Sequence, residues 1–327
     1  MRGMRAVLVD PAEHRLVLDD VPDPTPGAGQ LLVRVRAAGV NRADLFVTAG
    51  TYHGRAPAGR FVAGSELAGE VVAVGAGVEG WHVGDRAMAM GPGFAEAAVV
   101  HASVALPVPS MLDDAGAGSL PVALATMHDA LVTHGRCGPG QHVVVNAASS
   151  GVGVVGVRIA LQLGAASVIG TSRDPAKRRQ LAELVADDRF VAVAPDELVE
   201  RAAEITAGRG VDVIVDNVGA SALADNIAAA AVLGRIVQVG RLGGRHGELD
   251  LDELARKRIS LIGVTFRTRT PAERAAVVAA AWADLGDAVA AGAVVPVVHA
   301  AYPLEDVSAA HEALARDRHL GKLVILP

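Results

Sequence analysis

The sequence predicts an α/β protein in two parts, one β-rich and the other a doubly wound, parallel, six-stranded sheet. Three observations predict it. The chain has 327 residues, enough for about two domains of roughly 150 residues each. Its first hundred or so residues read as short alternating strands divided by Gly, Pro and Asp, as in LLVRVRAAGV (31–40) and ELAGEVVAVG (66–75). From about residue 120, apolar runs of five or six residues alternate with longer helical patterns about every 25 residues, the rhythm of βαβ units.

Taken in order, PDPTPGAGQ (22–30) is a surface turn between two early strands. Parallel strands are expected at HVVVNAA (142–148), SVIGTS (167–172), FVAVA (190–194), VDVIVDNV (211–218), RIVQVG (235–240) and ISLIGVTF (259–266). Continuous Val/Ile runs of this kind occur where helices cover both faces of a parallel sheet. Helices are expected near 152–163, 175–185, 196–207 and 221–231, the last ended by Gly234. Six strands joined by right-handed crossovers give a doubly wound sheet. A further helix starts after Thr270-Pro271, where Thr can cap and Pro suits the first turn. The segment 296–327 reads as strand, helix and strand without a new motif, and is expected to rejoin the first part. The expected division is therefore nested, 1–120 with 267–327 against 121–266.

Composition removes several classes. A single cysteine closes no intramolecular disulfide and builds no four-cysteine zinc lobe, so neither a stapled secreted scaffold nor a zinc ribbon is available. This usage points to a reducing, cytoplasmic setting. The net charge of −6 argues against general nucleic-acid binding. Asp10 and Glu13 arrive before any apolar h-region, so no signal peptide is read, and no run of 18 apolar residues offers a spanning helix. Aromatic residues are 3% of the chain, so its core must be built from Val, Leu, Ile and Ala.

The clearest motif is Gly151-Val152-Gly153-Val154-Val155-Gly156, a G-x-G-x-x-G that follows an expected strand and opens an expected helix. In that setting Gly151 takes the tight turn, Gly153 lets the backbone approach a pyrophosphate, and Gly156 allows close helix-to-strand packing. The helix N-terminus supplies free N–H groups and the positive end of a dipole to the anion. Ser149 and Ser150 can add hydroxyl donors. About 20 residues past the first glycine, an NAD site offers an acid to the ribose 2′-hydroxyl. Here that place reads Thr171-Ser172-Arg173, with Lys177 one turn into the next helix. Ser172 can donate to a 2′-phosphate, and Arg173 and Lys177 can pair with it, which favours NADPH over NADH. Two alternatives stay open: Asp174 is one residue further on, and Lys177-Arg178-Arg179 also fits a solvated helix face.

Longer segments carry a resemblance. AAGVNRADLFVTAGTYHG (37–54), GSELAGEVVAVGAGVEGWHVGDRAMAM (64–90), the glycine turn, VDVIVDNVG (211–219), GRIVQVGRLGG (234–244), LARKRISLIGVTFRTRTPAE (254–273) and HLGKLVILP (319–327) together cover nearly the whole chain. In these segments the chain resembles the medium-chain dehydrogenase/reductase superfamily, and within it the zinc-independent quinone oxidoreductases, in particular the branch with the tumour-suppressor-induced enzyme. The resemblance implies a GroES-like β domain interrupted by a Rossmann domain. Zinc alcohol dehydrogenases of the superfamily carry Cys where Asn41 stands and His where Ser65 stands, so the three ligands a catalytic zinc needs are not assembled, although Glu66 remains. His134 and Cys137, in HGRCGPG, read as a surface turn rather than a second metal site.

Without a Lewis acid, the chemistry that remains is hydride transfer from NADPH to an acceptor that delocalises charge onto its own oxygen, a quinone or an α,β-unsaturated carbonyl. The resemblance implies Asn41, Asp44 and Tyr52 beside nicotinamide and substrate. Asn41 would donate to an oxygen, and Tyr52 would donate a proton or stack on a ring. Asp44 would orient its neighbours or merely cap a helix. It also implies cofactor contacts at Thr126, Asn217, Val218, Val239, Gly240, Phe266 and Lys322. Acceptor selectivity is expected around residues 41–62, 94 and 241–247. An enoyl reductase and a non-enzymatic, crystallin-like or sensor NADPH binder are the alternatives. The apolar strand 260–266, at one side of the sheet, invites pairing, and the resemblance implies that two copies join there as a homodimer.

Overall fold

The computed structural model describes residues 3–52 and 59–327. The chain forms two compact units, residues through Ala123 with Arg267–Pro327, and Leu124–Phe266. The part of the 41–62 loop that spans 53–58 lies outside the described residues.

The first unit begins with strands β1 (Met4–Asp10), β2 (Arg15–Val21), β3 (Gln30–Val40), β4 (Phe61–Val62), β5 (Glu66–Val74), β6 (Arg86–Met90), β7 (Ala97–His101) and β8 (Ala105–Pro107). Helix α1 (Arg42–Thr48) follows β3, α2 (Asp114–Gly118) follows β8, and the division between the units falls within α3 (Pro121–His128). β3 is the central strand, and its alternation explains why: Leu31, Val33 and Val35 are buried while Arg34 and Arg36 are exposed. It pairs antiparallel with β5 along one side and with β7 along the first half of the other.

The second unit contains β9 (His142–Val145), α4 (Gly151–Gln162), β10 (Ser167–Thr171), α5 (Pro175–Val185), β11 (Phe190–Val193), α6 (Leu198–Ile205), β12 (Val211–Asp216), α7 (Leu223–Ala229), β13 (Ala230–Gln238), α8 (Leu251–Arg256) and β14 (Ser260–Gly263). All strand pairs are parallel, in the order β11-β10-β9-β12-β13-β14, which is the doubly wound arrangement. Val144, Ile169, Ile214 and Ile236 of the central strands are fully buried, as strands covered on both faces require.

Several elements are shorter than expected, β9 among them, which ends at Val145 rather than Ala148, and two differ more deeply. α7 ends at Ala229 and β13 begins at Ala230, so Gly234 lies inside a strand instead of ending a helix. The cause is local: Leu233 adopts a left-handed φ of 65° and donates its N–H to Lys257 O, and the β12–β13 register shifts between Val211 and Val213. The last strand pairs over only four residues, not eight, because its ladder stops where its partner stops, at Gln238↔Gly263.

The chain then returns to the first unit as α9 (Pro271–Ala290), β15 (Val298–Pro303), α10 (Val307–Arg316) and β16 (Lys322–Leu326). β16 pairs with Ala38–Val40 of β3, completing the sheet β15-β16-β3-β5-β6-β8. Phe94, expected among the selectivity residues, is instead fully buried in this unit's core, edge-on to His311. Among the described residues it is the one Phe, Tyr or Trp ring buried to that degree. No helix among the described residues is long and apolar enough to cross a membrane.

Candidate functional site

In the first unit, the end of β3, the start of α1, the start of β5 and the start of β16 bring Asn41, Asp44, Ser65, Glu66 and Lys322 into one buried polar group. Glu66 and Lys322 are 0% and 3% exposed, so their charges must be satisfied within the protein. Lys322 Nζ donates to Glu66 Oε1 at 2.5 Å and to Asn41 Oδ1 at 2.7 Å. Glu66 Oε1 also accepts from Asn41 Nδ2 at 2.8 Å, and Glu66 Oε2 accepts from the Val122 N–H at 2.8 Å. Room for the carboxylate comes from Gly39, where a Cβ would lie 2.2 Å from Glu66 Oε1.

Asn41 is thereby fixed in orientation, since the reverse amide flip would turn its oxygen onto the Glu66 carboxylate. Its two Nδ2 hydrogens are directed at Glu66 Oε1 and at Ser65 Oγ, 3.0 Å away. The expected role of Asn41 as a donor to a substrate oxygen is therefore not what this arrangement offers; the amide holds its neighbours. Lys322, expected at the cofactor, is turned inward onto Glu66 and Asn41. Asp44 is the third residue of α1 and reaches back to accept the Asn41 N–H at 2.7 Å, so the capping role is present. Burial pushes its carboxyl up to about 7 despite that bond, the adjacent Ser65 hydroxyl and the nearby Lys322 ammonium. Tyr52 is half-buried with the Arg267 guanidinium 5.3 Å from its ring centroid, so one ring face is already engaged. Ser65 as a hydroxyl and Arg267 as a ring partner are not among the expected site residues. Both lie in the quoted segments, yet only the fold brings them to this place.

In the second unit the expected cofactor residues gather at the carboxyl ends of the strands. Ser150 caps α4, its Oγ accepting the Gly153 N–H at 3.1 Å. Gly153 admits no side chain, because a Cβ would lie 2.3 Å from Ala147 O. The left-handed residue of the turn is Ala147, φ 52°, and not Gly151, which begins the helix. Ser149 Oγ and Ser172 Oγ are 3.0 Å apart and both side chains are buried. Lys177 is buried, so this residue does not belong to a solvated helix face. Arg173 is exposed beside it, and Arg178 binds the carbonyls of Ser172 and Arg173. Asp174 Oδ1 is committed to capping α5 through the N–H groups of Ala176 and Lys177.

The central strand ends are tied together. Asn217 Nδ2 donates to Asn146 O at 2.9 Å, and the N–H groups of Val239 and Gly240 both donate to Asp216 O. Asp216 Oδ1 accepts from the N–H groups of Val218 and Gly219. Asn217 Oδ1 is buried without a hydrogen-bond partner, an acceptor kept at the mouth of the sheet. Thr126 and Phe266 are half-buried at the two ends of this unit's chain. These features, a capped helix N-terminus, a turn closed to side chains and an unpaired buried acceptor, fit a dinucleotide. Cys137 is buried, not part of a surface turn, and burial pushes its thiol up to about 11, while His134 faces Asp129. Among the described residues no three His, Cys, Asp or Glu side chains converge as a metal site would need.

Comparison with known proteins agrees with this architecture. Residues 27–110 match the alcohol dehydrogenase GroES-like domain, and 151–282 match the family described as zinc-binding dehydrogenase, a segment that contains neither Asn41 nor Ser65. The chain is 30% identical over 331 residues to the quinone oxidoreductase of Lama guanicoe, covering 100% of this chain and 97% of that protein. It is 32% identical over 308 residues to a phenolphthiocerol/phthiocerol polyketide synthase polypeptide of Mycobacterium tuberculosis, covering 92% of this chain but only 14% of that protein. A mycobacterial protein solved in complex with NADPH superposes with a TM-score of 0.86 at 30% identity, over 99% of this chain and 100% of that one.

Proposed function

The chain belongs to the medium-chain dehydrogenase/reductase superfamily as an NADPH-binding oxidoreductase, and from that premise we propose that it transfers hydride from NADPH to a quinone without a catalytic zinc. The observation that carries the proposal is the closed group of Glu66, Lys322 and Asn41. A zinc site needs three ligands of Cys, His or carboxylate type, and here the Glu66 carboxylate is already bound by an ammonium and an amide. A ketone that must be polarised from outside finds no Lewis acid in such a set. A quinone moves the incoming charge onto its own oxygen, and asks only for positioning, exclusion of water and a hydrogen-bond donor.

When bound, the dinucleotide supplies the hydride. In this reading Ser149, Ser150, Gly151, Val152 and Gly153 hold its pyrophosphate, with Thr126, Asn217, Val218, Val239, Gly240 and Phe266 along the rest of it. Ser172, Arg173 and Lys177 take the 2′-phosphate, while Asp174 Oδ1 caps its own helix. Tyr52 lies against the acceptor on the ring face away from Arg267. The exposed edge of β14 pairs two copies into a homodimer.

A second reading, reduction of an enoyl compound, is favoured by the 32% identity to a polyketide synthase. Oxidation of NADPH and NADH measured against a panel of quinones and 2-enoyl thioesters separates the two. Quinone turnover with NADPH is expected, and turnover of enoyl compounds alone establishes the second reading. A preference for NADH that Arg173→Ala leaves unchanged overturns the phosphate assignment. Stoichiometric zinc in the purified active protein overturns the zinc-independent one.

A further inference from the structure

The reaction proposed above takes up a proton as well as a hydride, and the inference that follows rests on that reading. We propose that Ser65 delivers the proton to the oxygen of the reduced acceptor and that Asp44, behind it, resupplies the hydroxyl. Four of the five side chains in the polar group of the first unit are less than 9% exposed, namely Asn41, Asp44, Glu66 and Lys322. Ser65 alone is half-buried, and so forms the opening of the group to its surroundings. Its Oγ accepts from Asn41 Nδ2, which fixes the hydroxyl's position, and the Asp44 carboxyl, which accepts the backbone N–H of the same Asn41, lies beside it. Asn41 has no hydrogen to spare, and the Lys322 ammonium is held inward by Glu66 and Asn41.

The step balances simply. As hydride forms a new C–H bond on the acceptor, the displaced electron pair collects on its oxygen. That oxygen forms an O–H bond with the Ser65 proton while the Oγ–H bond breaks. Oγ in turn takes the carboxyl proton of Asp44, leaving a carboxylate that solvent reprotonates between turnovers. An ordinary aspartic acid is protonated in only about one molecule in a thousand at pH 7. Asp44, with its carboxyl raised to about 7, holds a proton for roughly half the time. The charged groups acting on it are Lys322 from β16 and Glu66 from β5. From the other elements packed on α1, Asp10 at the end of β1 is paired with Arg60, Asp317 after α10 is paired with Arg42, and His311 of α10 lies against Phe94.

The test uses the full-length protein with NADPH and the best acceptor of either class. Ser65→Ala is expected to lower kcat about 100-fold with little change in KM, and Ser65→Thr to restore it. In the unaltered protein kcat falls as pH rises through about 7, with a solvent deuterium isotope effect, and Asp44→Asn lowers kcat and removes that fall. Infrared titration of the Asp44 carboxylic acid band, assigned by its loss in Asp44→Asn, gives a midpoint near 7 without requiring turnover. Unchanged kcat and pH profile in Ser65→Ala overturn the relay alone, as does an Asp44 midpoint in the ordinary range near 4. A large loss in Tyr52→Phe with none in Ser65→Ala assigns the donor to Tyr52 instead. No NADPH oxidation by the unaltered protein with any acceptor overturns the functional reading together with the relay.

Discussion

Lys322→Met leaves the Glu66 carboxylate buried with no counter-ion, an arrangement that costs about 3–5 kcal/mol in comparable buried pairs. Chemical denaturation is expected to show a loss of that order, and Glu66→Gln in the same chain to recover part of it, since a neutral amide needs no counter-ion. His311 gives a pH-dependent counterpart. Burial lowers its pKa from 6.5 to about 4, so the native state favours the neutral ring. Its contribution to stability is fully present above pH 6.5 and is lost as pH falls through about 4. His311→Leu is expected to reduce the loss of thermal stability between pH 6.5 and 4; an identical acid profile would count against it. Asp44 runs the other way, its contribution present below about pH 4 and lost as pH rises through about 7. The positions of Asn41, Asp44, Ser65, Glu66 and Lys322 are all visible in the sequence. That Lys322 closes on Glu66 is not, because 256 residues separate them and no local period relates the two.

At the scale of elements, strand and helix existence follows from hydrophobic runs, whereas boundaries depend on contacts that the runs do not encode. The β13 boundary escapes the pattern because Ala230, Ala231 and Val232 satisfy a helix as well as a strand, and only the bend at Leu233 decides between them. A left-handed Leu costs about 1–2 kcal/mol, and Leu233 is 58% exposed, so its side chain adds little in return. Leu233→Gly is expected to stabilise the protein by up to about 1 kcal/mol after the greater flexibility of glycine in the unfolded chain is counted. The glycine turn teaches the opposite lesson. Its motif identifies the helix start, but the strained position belongs to Ala147, which no glycine pattern marks. Ser150→Ala removes the α4 cap and is expected to lower stability by about 1 kcal/mol in thermal melts.

At the scale of the whole molecule, a change from period-two alternation to βαβ spacing near residue 120 makes two units legible, and the lack of a new motif in the last segment points to the return of the chain after residue 266. The observed division falls at Ala123/Leu124 and Phe266/Arg267. The homodimer proposed above rests on the β14 edge, where Leu261 is 41% exposed. Sedimentation velocity at micromolar concentration is expected to show a dimer that Leu261→Lys converts to monomer; a monomeric parent protein would remove the proposal. The placement of β16 against β3 has one more consequence, which concerns the order in which a newly made chain can settle. The second unit possesses all its strands once Gly263 has been synthesised, but Glu66 waits for Lys322 until translation of residues 267–322 is done. During that interval the nascent first unit carries a carboxylate whose partner does not yet exist, so its polar group can form only after the other unit has had time to fold.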